Sequence, residues 1–100
     1  MKLTEIIAKG RPCALRFFPP CNDETVVPCH IPCKALKGIA MKTPDLFAVP
    51  GCYRCHEIID RRGVEWMEVP QAEREQRMRV AMMETLARLW DEGVIGRLRK

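Results

Sequence analysis

Six cysteines and two histidines give this 100-residue chain its most evident chemistry, and all eight lie between residues 11 and 62. Cys52 and Cys55 form a CxxC pair, in which the intervening turn curls back so that both thiolates can face one metal ion. A zinc site closed by the protein takes four such ligands in a tetrahedron. A second pair of ligands must therefore come from the cysteines that precede residue 34.

The second pair is predicted to be Cys13 and Cys21. These residues flank a turn-forming stretch, Pro19-Pro20, within what reads as a β-hairpin, and a hairpin brings the two sides of its turn together. The predicted structural zinc site comprises four thiols: Cys13, Cys21, Cys52 and Cys55. If metal binds there, it contributes on the order of 10 kcal/mol or more to folding.

Two other interpretations of the cysteines stay open. Cys29 and Cys33 form a CxxxC pair that could supply the second half of the site instead. Alternatively, the cysteines are buried free thiols beside one redox-active CxxC. The redox interpretation is weaker because thioredoxin-like CxxC motifs lie in a βαβ context, which this sequence lacks.

The chain shows no pattern of export or membrane insertion. Its first residues contain no apolar run like that of a signal peptide, and no stretch approaches the ~20 apolar residues of a membrane span. We therefore expect a cytoplasmic protein with no membrane partner, in a compartment where clustered cysteines usually mean metal or catalysis. The formal charge of +4 and pI near 8.9 mildly favour polyanionic partners.

The elements that must position these residues are short. Residues 13–18 and 25–27 read as the two strands of a hairpin, with Cys29 and His30 at its exit. Residues 47–49 suit a third strand, ended by Pro50-Gly51. Residues 53–62 suit a helix closed by Gly63.

A long helix is predicted from residue 71 to residue 91, after a first-turn proline at position 70. Its apolar positions repeat at helical spacing: Met78, Met82, Leu86 and Leu89, broadened by Val80, Met83, Ala87 and Trp90. A stripe this wide is predicted to be mostly core packing, with a homodimer contact as the alternative.

The histidines suggest a second kind of site. His56 directly follows Cys55, and successive helical residues point about 100° apart, so His56 faces away from the thiols. Asp60 lies four residues on, on the same helical face, and together the two side chains can hold one divalent ion. His30 stands beside a basic loop.

This order of residues resembles the HNH (His-Me finger, ββα-metal) endonucleases. The matching segments are Cys29-His30-Ile31-Pro32, then Asp45-Leu46, then Cys52-Tyr53-Arg54-Cys55-His56. More narrowly, Pro44-Asp45-Leu46 and the segment from Cys52 to Arg62 resemble the YbcO-type nucleases of lambdoid prophages. The resemblance covers about residues 11–62.

The resemblance implies a fold and an activity. The fold is a single α+β domain over residues 1–100, with a small zinc-stapled, treble-clef-like ββα-metal core at 11–62 and a C-terminal helix at about 70–92. The activity is metal-dependent hydrolysis of DNA phosphodiester bonds by a phage or prophage protein. Two alternatives are a non-catalytic zinc-knuckle module that binds nucleic acid and a partner within a phage complex.

The resemblance also assigns roles to residues. His30 matches the general base, and Asp45 matches the residue, usually Asn, that orients it. His56 and Asp60 match the ligands of a catalytic Mg²⁺ or Mn²⁺, with Zn²⁺ as an alternative. Cys29 stands where many HNH enzymes have a further metal ligand.

Basic residues surround the implied site in sequence. Those predicted to contact DNA phosphates are Lys34, Lys37, Lys42, Arg61 and Arg62. The alternative for each is ordinary solvated surface charge.

Overall fold

The computed structural model describes residues 2–32 and 44–95. Their helices and strands are α1 (Leu3–Ala8), β1 (Val27–His30), β2 (Ala48–Gly51), α2 (Tyr53–Ile59) and α3 (Gln71–Asp91). The predicted α+β class and the long C-terminal helix are confirmed. Cys33, Lys34, Lys37 and Lys42 lie outside the described residues.

The two strands pair antiparallel, with Pro28 opposite Pro50 and His30 opposite Ala48. Neither proline has an N–H to donate, yet the pairing is intact because opposite residues alternate between bonded and non-bonded positions. The carbonyl oxygen of Pro50 points away from β1 and accepts from the N–H of Ala14 at 2.8 Å. The prolines therefore occupy a non-bonded pair.

The predicted hairpin between residues 13–18 and 25–27 is wrong. Residues 13–18 contain no strand, and Val27 instead begins β1, which pairs with β2. The early segment is held by isolated bonds: the N–H of Cys13 donates to Asp23, and that of Arg16 donates to Cys13 Sγ. Pro50-Gly51, predicted to end a strand, lies within β2.

The helix α2 ends earlier than predicted, at Ile59, and its closing residue is Arg61 rather than Gly63. Arg61 has φ 57°. Its N–H donates to the carbonyl oxygen of Ile58, and the N–H of Arg62 donates to that of Glu57. These two bonds form a Schellman motif, whose left-handed position glycine usually occupies.

One face of α3 packs on the core, and it is narrower than the predicted stripe. Met78, Ala81 and Leu89 are buried, whereas the other side of the helix is exposed. The exposed apolar residues are Val80, Met83, Ala87 and Trp90. The prediction that these four residues broaden the core face is wrong. No helix in the described ranges is both long and apolar enough to cross a membrane.

A tight contact beneath the sheet fixes how the early segment lies on β2. A methyl group added at Gly51 would come within 2.8 Å of both Cys29 Sγ and Leu15 Cδ1. Cys29 and Leu15 are fully buried and belong to the cluster that α2 and α3 also join. The absence of a side chain at position 51 therefore lets residues 13–15 pack closely against the sheet.

A candidate metal centre and two histidine–carboxylate pairs

Four thiols converge at the N-terminal end of α2. The Sγ atoms of Cys13, Cys21, Cys52 and Cys55 all lie within 4.8 Å of one another, and those of Cys21 and Cys55 are 3.9 Å apart. A tetrahedral zinc ion with Zn–S bonds of about 2.3 Å sets its sulfur atoms about 3.8 Å apart. The four thiols can therefore hold one metal ion such as zinc with little movement.

Local structure explains how each thiol reaches the group. Cys52 is the residue before α2, and Cys55 lies in the first turn of that helix, so the CxxC pair is presented by a single helical turn. Cys13 is held by the bond from its N–H to Asp23. Cys13, Cys52 and Cys55 are at most 3% exposed, and Cys21 is partly exposed.

The pKa values of Cys13, Cys21 and Cys55 are also consistent with a bound cation. A hydrogen bond from Cys55 lowers the pKa of Cys13 to about 4, whereas burial raises the pKa of Cys21 to about 12. The bond to Cys13 likewise raises the pKa of Cys55. The Cys13 thiolate is thus stabilised by protons kept on Cys21 and Cys55, and a positive charge among the sulfur atoms would favour ionisation of those two thiols.

Cys29 lies outside this group. Its fully buried Sγ lies within hydrogen-bond distance of the carbonyl oxygens of Val27 and Gly51, at 3.4 and 3.7 Å. Burial raises the pKa of Cys29 to about 12, so the thiol stays protonated. Cys29 is thereby a packing residue that donates to the backbone.

His30 and Asp45 form the first histidine–carboxylate pair. The Nε2 atom of His30 is 2.7 Å from Oδ1 of Asp45. His30 ends β1 and Asp45 begins a 3-10 turn that leads into β2, so the antiparallel pairing brings them together. Because successive strand residues face opposite sides, His30 points away from the core that receives Cys29. The imidazole is 30% exposed and accessible to solvent.

His56 and Asp60 form the second pair, across one turn of α2. Nε2 of His56 is 3.2 Å from Oδ2 of Asp60, and the same oxygen accepts from Arg62 Nη2 at 2.8 Å. One carboxylate is thus shared between an imidazole and a guanidinium. Among the described residues, no hydrogen bond or ion pair joins this pair to His30 or Asp45.

The two described arginines predicted to contact DNA are already engaged within the protein. Arg62 pairs with Asp60, and the guanidinium of Arg61 lies 5.7 Å from the ring centre of Trp66. Both side chains are exposed at the end of α2. Their placement beside Asp60 puts positive charge next to the second pair.

Sequence reasoning missed the residues that fix the segment containing Cys13. Arg77 Nε donates to the carbonyl oxygen of Leu15 at 2.9 Å, and its Nη2 reaches that of Ala14 at 3.4 Å. Asp23 accepts from the backbone of Cys13. These are bonds to backbone atoms distant in sequence, and no spacing rule would have found them.

The fold and site define a class: a small α+β protein in which a strand–strand–helix unit positions a four-cysteine group and two histidine–carboxylate pairs. Residues 2–94 match the protein family described as "Putative nuclease YbcO", and the chain belongs to this family. The predicted likeness to YbcO-type proteins is confirmed, although the match does not itself include the HNH class.

Two individual proteins with similar sequences carry the same description as this family. A protein of Escherichia coli strain K12, "Putative nuclease YbcO", and one of Enterobacteria phage 82, "Putative nuclease ybcO", are each 46% identical over 57 residues. The alignment covers 55% of this chain and 59% of each relative, which is less than two thirds of their length.

A solved structure shares the fold. It is described as "Structure of a putative bacteriophage protein from Escherichia coli str. K-12 substr. MG1655". The two chains are 33% identical with a TM-score of 0.67, over 88% of this chain and 96% of the other.

Proposed function

We propose that this protein is an HNH-type, metal-dependent endonuclease of phage or prophage origin that hydrolyses DNA phosphodiester bonds. The observation that carries the proposal is the 2.7 Å contact between His30, at the end of β1, and Asp45, just before β2. These residues belong to a strand–strand–helix unit in a chain of the YbcO family. The same unit supports a ββα-metal core with the four thiols as its zinc staple.

His30 acts as the general base. When Nε2 carries the imidazole proton and donates it to Asp45, Nδ1 keeps a free lone pair that can accept a proton from water. Asp45 thus selects the tautomer and holds the ring in one orientation. The carboxylate also stabilises the imidazolium that forms when the attacking water is deprotonated.

His56 and Asp60 would hold the catalytic divalent ion, either Mg²⁺ or Mn²⁺, with Zn²⁺ as the alternative. An imidazole nitrogen and a carboxylate oxygen 3.2 Å apart fit a shared ligand sphere. When bound, the ion polarises the scissile phosphate and neutralises the leaving oxygen. Arg62 holds Asp60 in place before binding.

The four thiols would bind a structural Zn²⁺. Cys55 immediately precedes His56, so a metal bound at Cys55 fixes the first turn of α2 and the direction of the His56 imidazole. Arg61 and Arg62 would contact DNA phosphates beside this helix. Lys34, Lys37 and Lys42 are assigned the same role on the sequence alone.

A plasmid-nicking assay with Mg²⁺, Mn²⁺ or no added metal tests the proposal. His30→Ala should reduce the rate by roughly 100-fold or more, the usual contribution of a general base. Arg79→Ala, an exposed substitution on α3, is the control and should leave the rate unchanged. Equal cleavage by the wild type and His30→Ala would overturn the mechanism.

A second candidate function is nucleic-acid binding without catalysis. It is favoured by Cys29, a protonated and buried thiol in the place where many HNH enzymes have a metal ligand. This function predicts salt-sensitive DNA binding with no metal-dependent turnover. A third, docking within a phage complex or homodimer, would use exposed apolar residues of α3 such as Val80 and Met83.

A further inference from the structure

A cleft of about 360 Å³ lies beside the candidate metal centre, and Cys13 is one of its lining residues. It is bounded by the segment from Arg11 to Arg16 and by the C-terminal half of α3. Three arginines line it, and one carboxylate: Arg11, Arg16, Arg88 and Glu84.

Arg88 has a partly buried guanidinium with an incompletely satisfied charge. Its Nη2 donates to the carbonyl oxygen of Ile7 at 2.7 Å, and its buried Nη1 has no hydrogen-bond acceptor among the described residues. Within residues 2–32 and 44–95, no carboxylate forms an ion pair with it. A partly buried guanidinium left in this state is costly, because it has lost water without gaining an opposite charge.

The neighbouring charges increase this deficit. Burial lowers the pKa of Arg88, the positive charge of Arg11 lowers it further, and Glu92 only partly opposes them. Glu92 is also engaged by Arg11, at 3.0 Å. The structure therefore sets two guanidinium groups close to each other, with one carboxylate near both.

Arg16 is available to a ligand in the cleft. It contacts Glu84 at 3.5 Å, and both side chains are about half exposed, at 51% and 52%. An exposed ion pair of this kind contributes little free energy and exchanges readily. Arg16 can thus turn toward an anion without losing a strong contact.

We propose that this cleft binds a phosphate group, through the guanidinium groups of Arg16 and Arg88 with Arg11 beside them. Phosphate oxygens accept paired N–H donors from arginine, and the negative charge would compensate Arg88. The group has two sources, a DNA backbone or free inorganic phosphate. The DNA source rests on the proposed function, whereas the phosphate chemistry does not.

Two measurements test this proposal. The first is the melting temperature in inorganic phosphate against sodium chloride of equal ionic strength. The second is the Kd for a short DNA duplex, without added divalent ions. Both are compared for the wild type, Arg88→Met, Arg16→Met and the control Arg79→Met, whose residue is exposed on the same helix.

We expect phosphate to raise the melting temperature of the wild type and of Arg79→Met, but not of the cleft variants. For DNA bound in the cleft, both cleft variants should raise the Kd about tenfold and lower the salt slope by about one relative to the control. A lost phosphate shift with unchanged DNA affinity would identify free phosphate as the ligand. If the cleft variants keep the phosphate-induced rise in melting temperature and also bind DNA as the control does, the proposal is overturned.

Arg88→Met also removes the bond to Ile7 and can lower stability for that reason. Arg16→Met touches no buried bond, so it provides the test if Arg88→Met fails to fold. Neither readout requires cleavage. The proposal that the cleft binds phosphate can therefore fail while His30-dependent nicking is observed, and the opposite result is equally detectable.

Discussion

Arg77 donates from Nε to the carbonyl oxygen of Leu15 at 2.9 Å, which joins the middle of α3 to the segment that presents Cys13. Sixty-two positions separate the two residues in the chain. The long helix thereby takes part in forming the candidate metal centre, although it contributes no thiol to it. The bond uses a side-chain donor because the segment around Leu15 belongs to neither strand.

Arg77→Met should lower the free energy of unfolding by about 1–3 kcal/mol, because it leaves the Leu15 carbonyl without its charged donor. Urea unfolding of the zinc-loaded protein measures the change. Arg79→Met, two residues along and exposed, should change it by less than about 0.5 kcal/mol. Equal stabilities of the two variants would contradict a positioning role for Arg77.

Removing one thiol of the four should remove the metal. We expect Cys55→Ser to lose bound zinc and to melt at a much lower temperature, since zinc affinity contributes to folding. Elemental analysis of the purified protein and thermal unfolding measure both effects. Cys29→Ser is the matched control: its thiol is equally buried but lies outside the group, so zinc content should stay at the wild-type level.

Gly51→Ala should destabilise the protein by about 1–3 kcal/mol, because the new methyl group would lie within 2.8 Å of Cys29 Sγ and Leu15 Cδ1. Denaturant unfolding at fixed zinc concentration gives the value. Adding Cys29→Ala should recover part of the loss, since it removes one of the two clashing atoms. If the double variant loses as much free energy of unfolding as the two single variants together, or more, the result would argue against this contact.

Asp45→Asn should cleave DNA within about tenfold of the wild-type rate, because the amide oxygen can still accept from His30 Nε2. Asp45→Ala removes the acceptor, and its rate should fall by a further 10- to 100-fold, within the range set by misplacing a catalytic group. Single-turnover nicking rates distinguish them. If Asp45→Ala matches Asp45→Asn, the contact with His30 does not orient the base.

Arg61→Gly should raise the free energy of unfolding by up to about 1 kcal/mol, because glycine adopts the left-handed conformation at the helix end without strain. Loss of the contact with Trp66 partly offsets this gain. Thermal unfolding measures the net effect. If Arg61 contacts DNA phosphates, the same variant should bind DNA more weakly while being no less stable, which separates the two roles.

Features that depend on neighbours in the chain could be predicted from the sequence. The period of α3 and Pro70 gave its extent to within a residue, and the spacing of His56 and Asp60 placed them on one helical turn. The CxxC pair at the start of α2 is likewise a local feature. The core face of α3 was predicted less well, because an apolar residue does not itself indicate which side of a helix the sheet will cover.

By itself, the sequence determined the types of group that meet: four cysteines from two stretches of chain, and two histidines each near a carboxylate. Only the tertiary structure decided that β1 pairs with β2, because strand pairing is set by non-local packing and the alternation in residues 13–18 was weak. It also decided that Cys29 faces the core and that Arg88 is partly buried without a carboxylate ion-pair partner in the described chain. Burial and side-chain direction depend on which elements pack together, which local spacing does not specify.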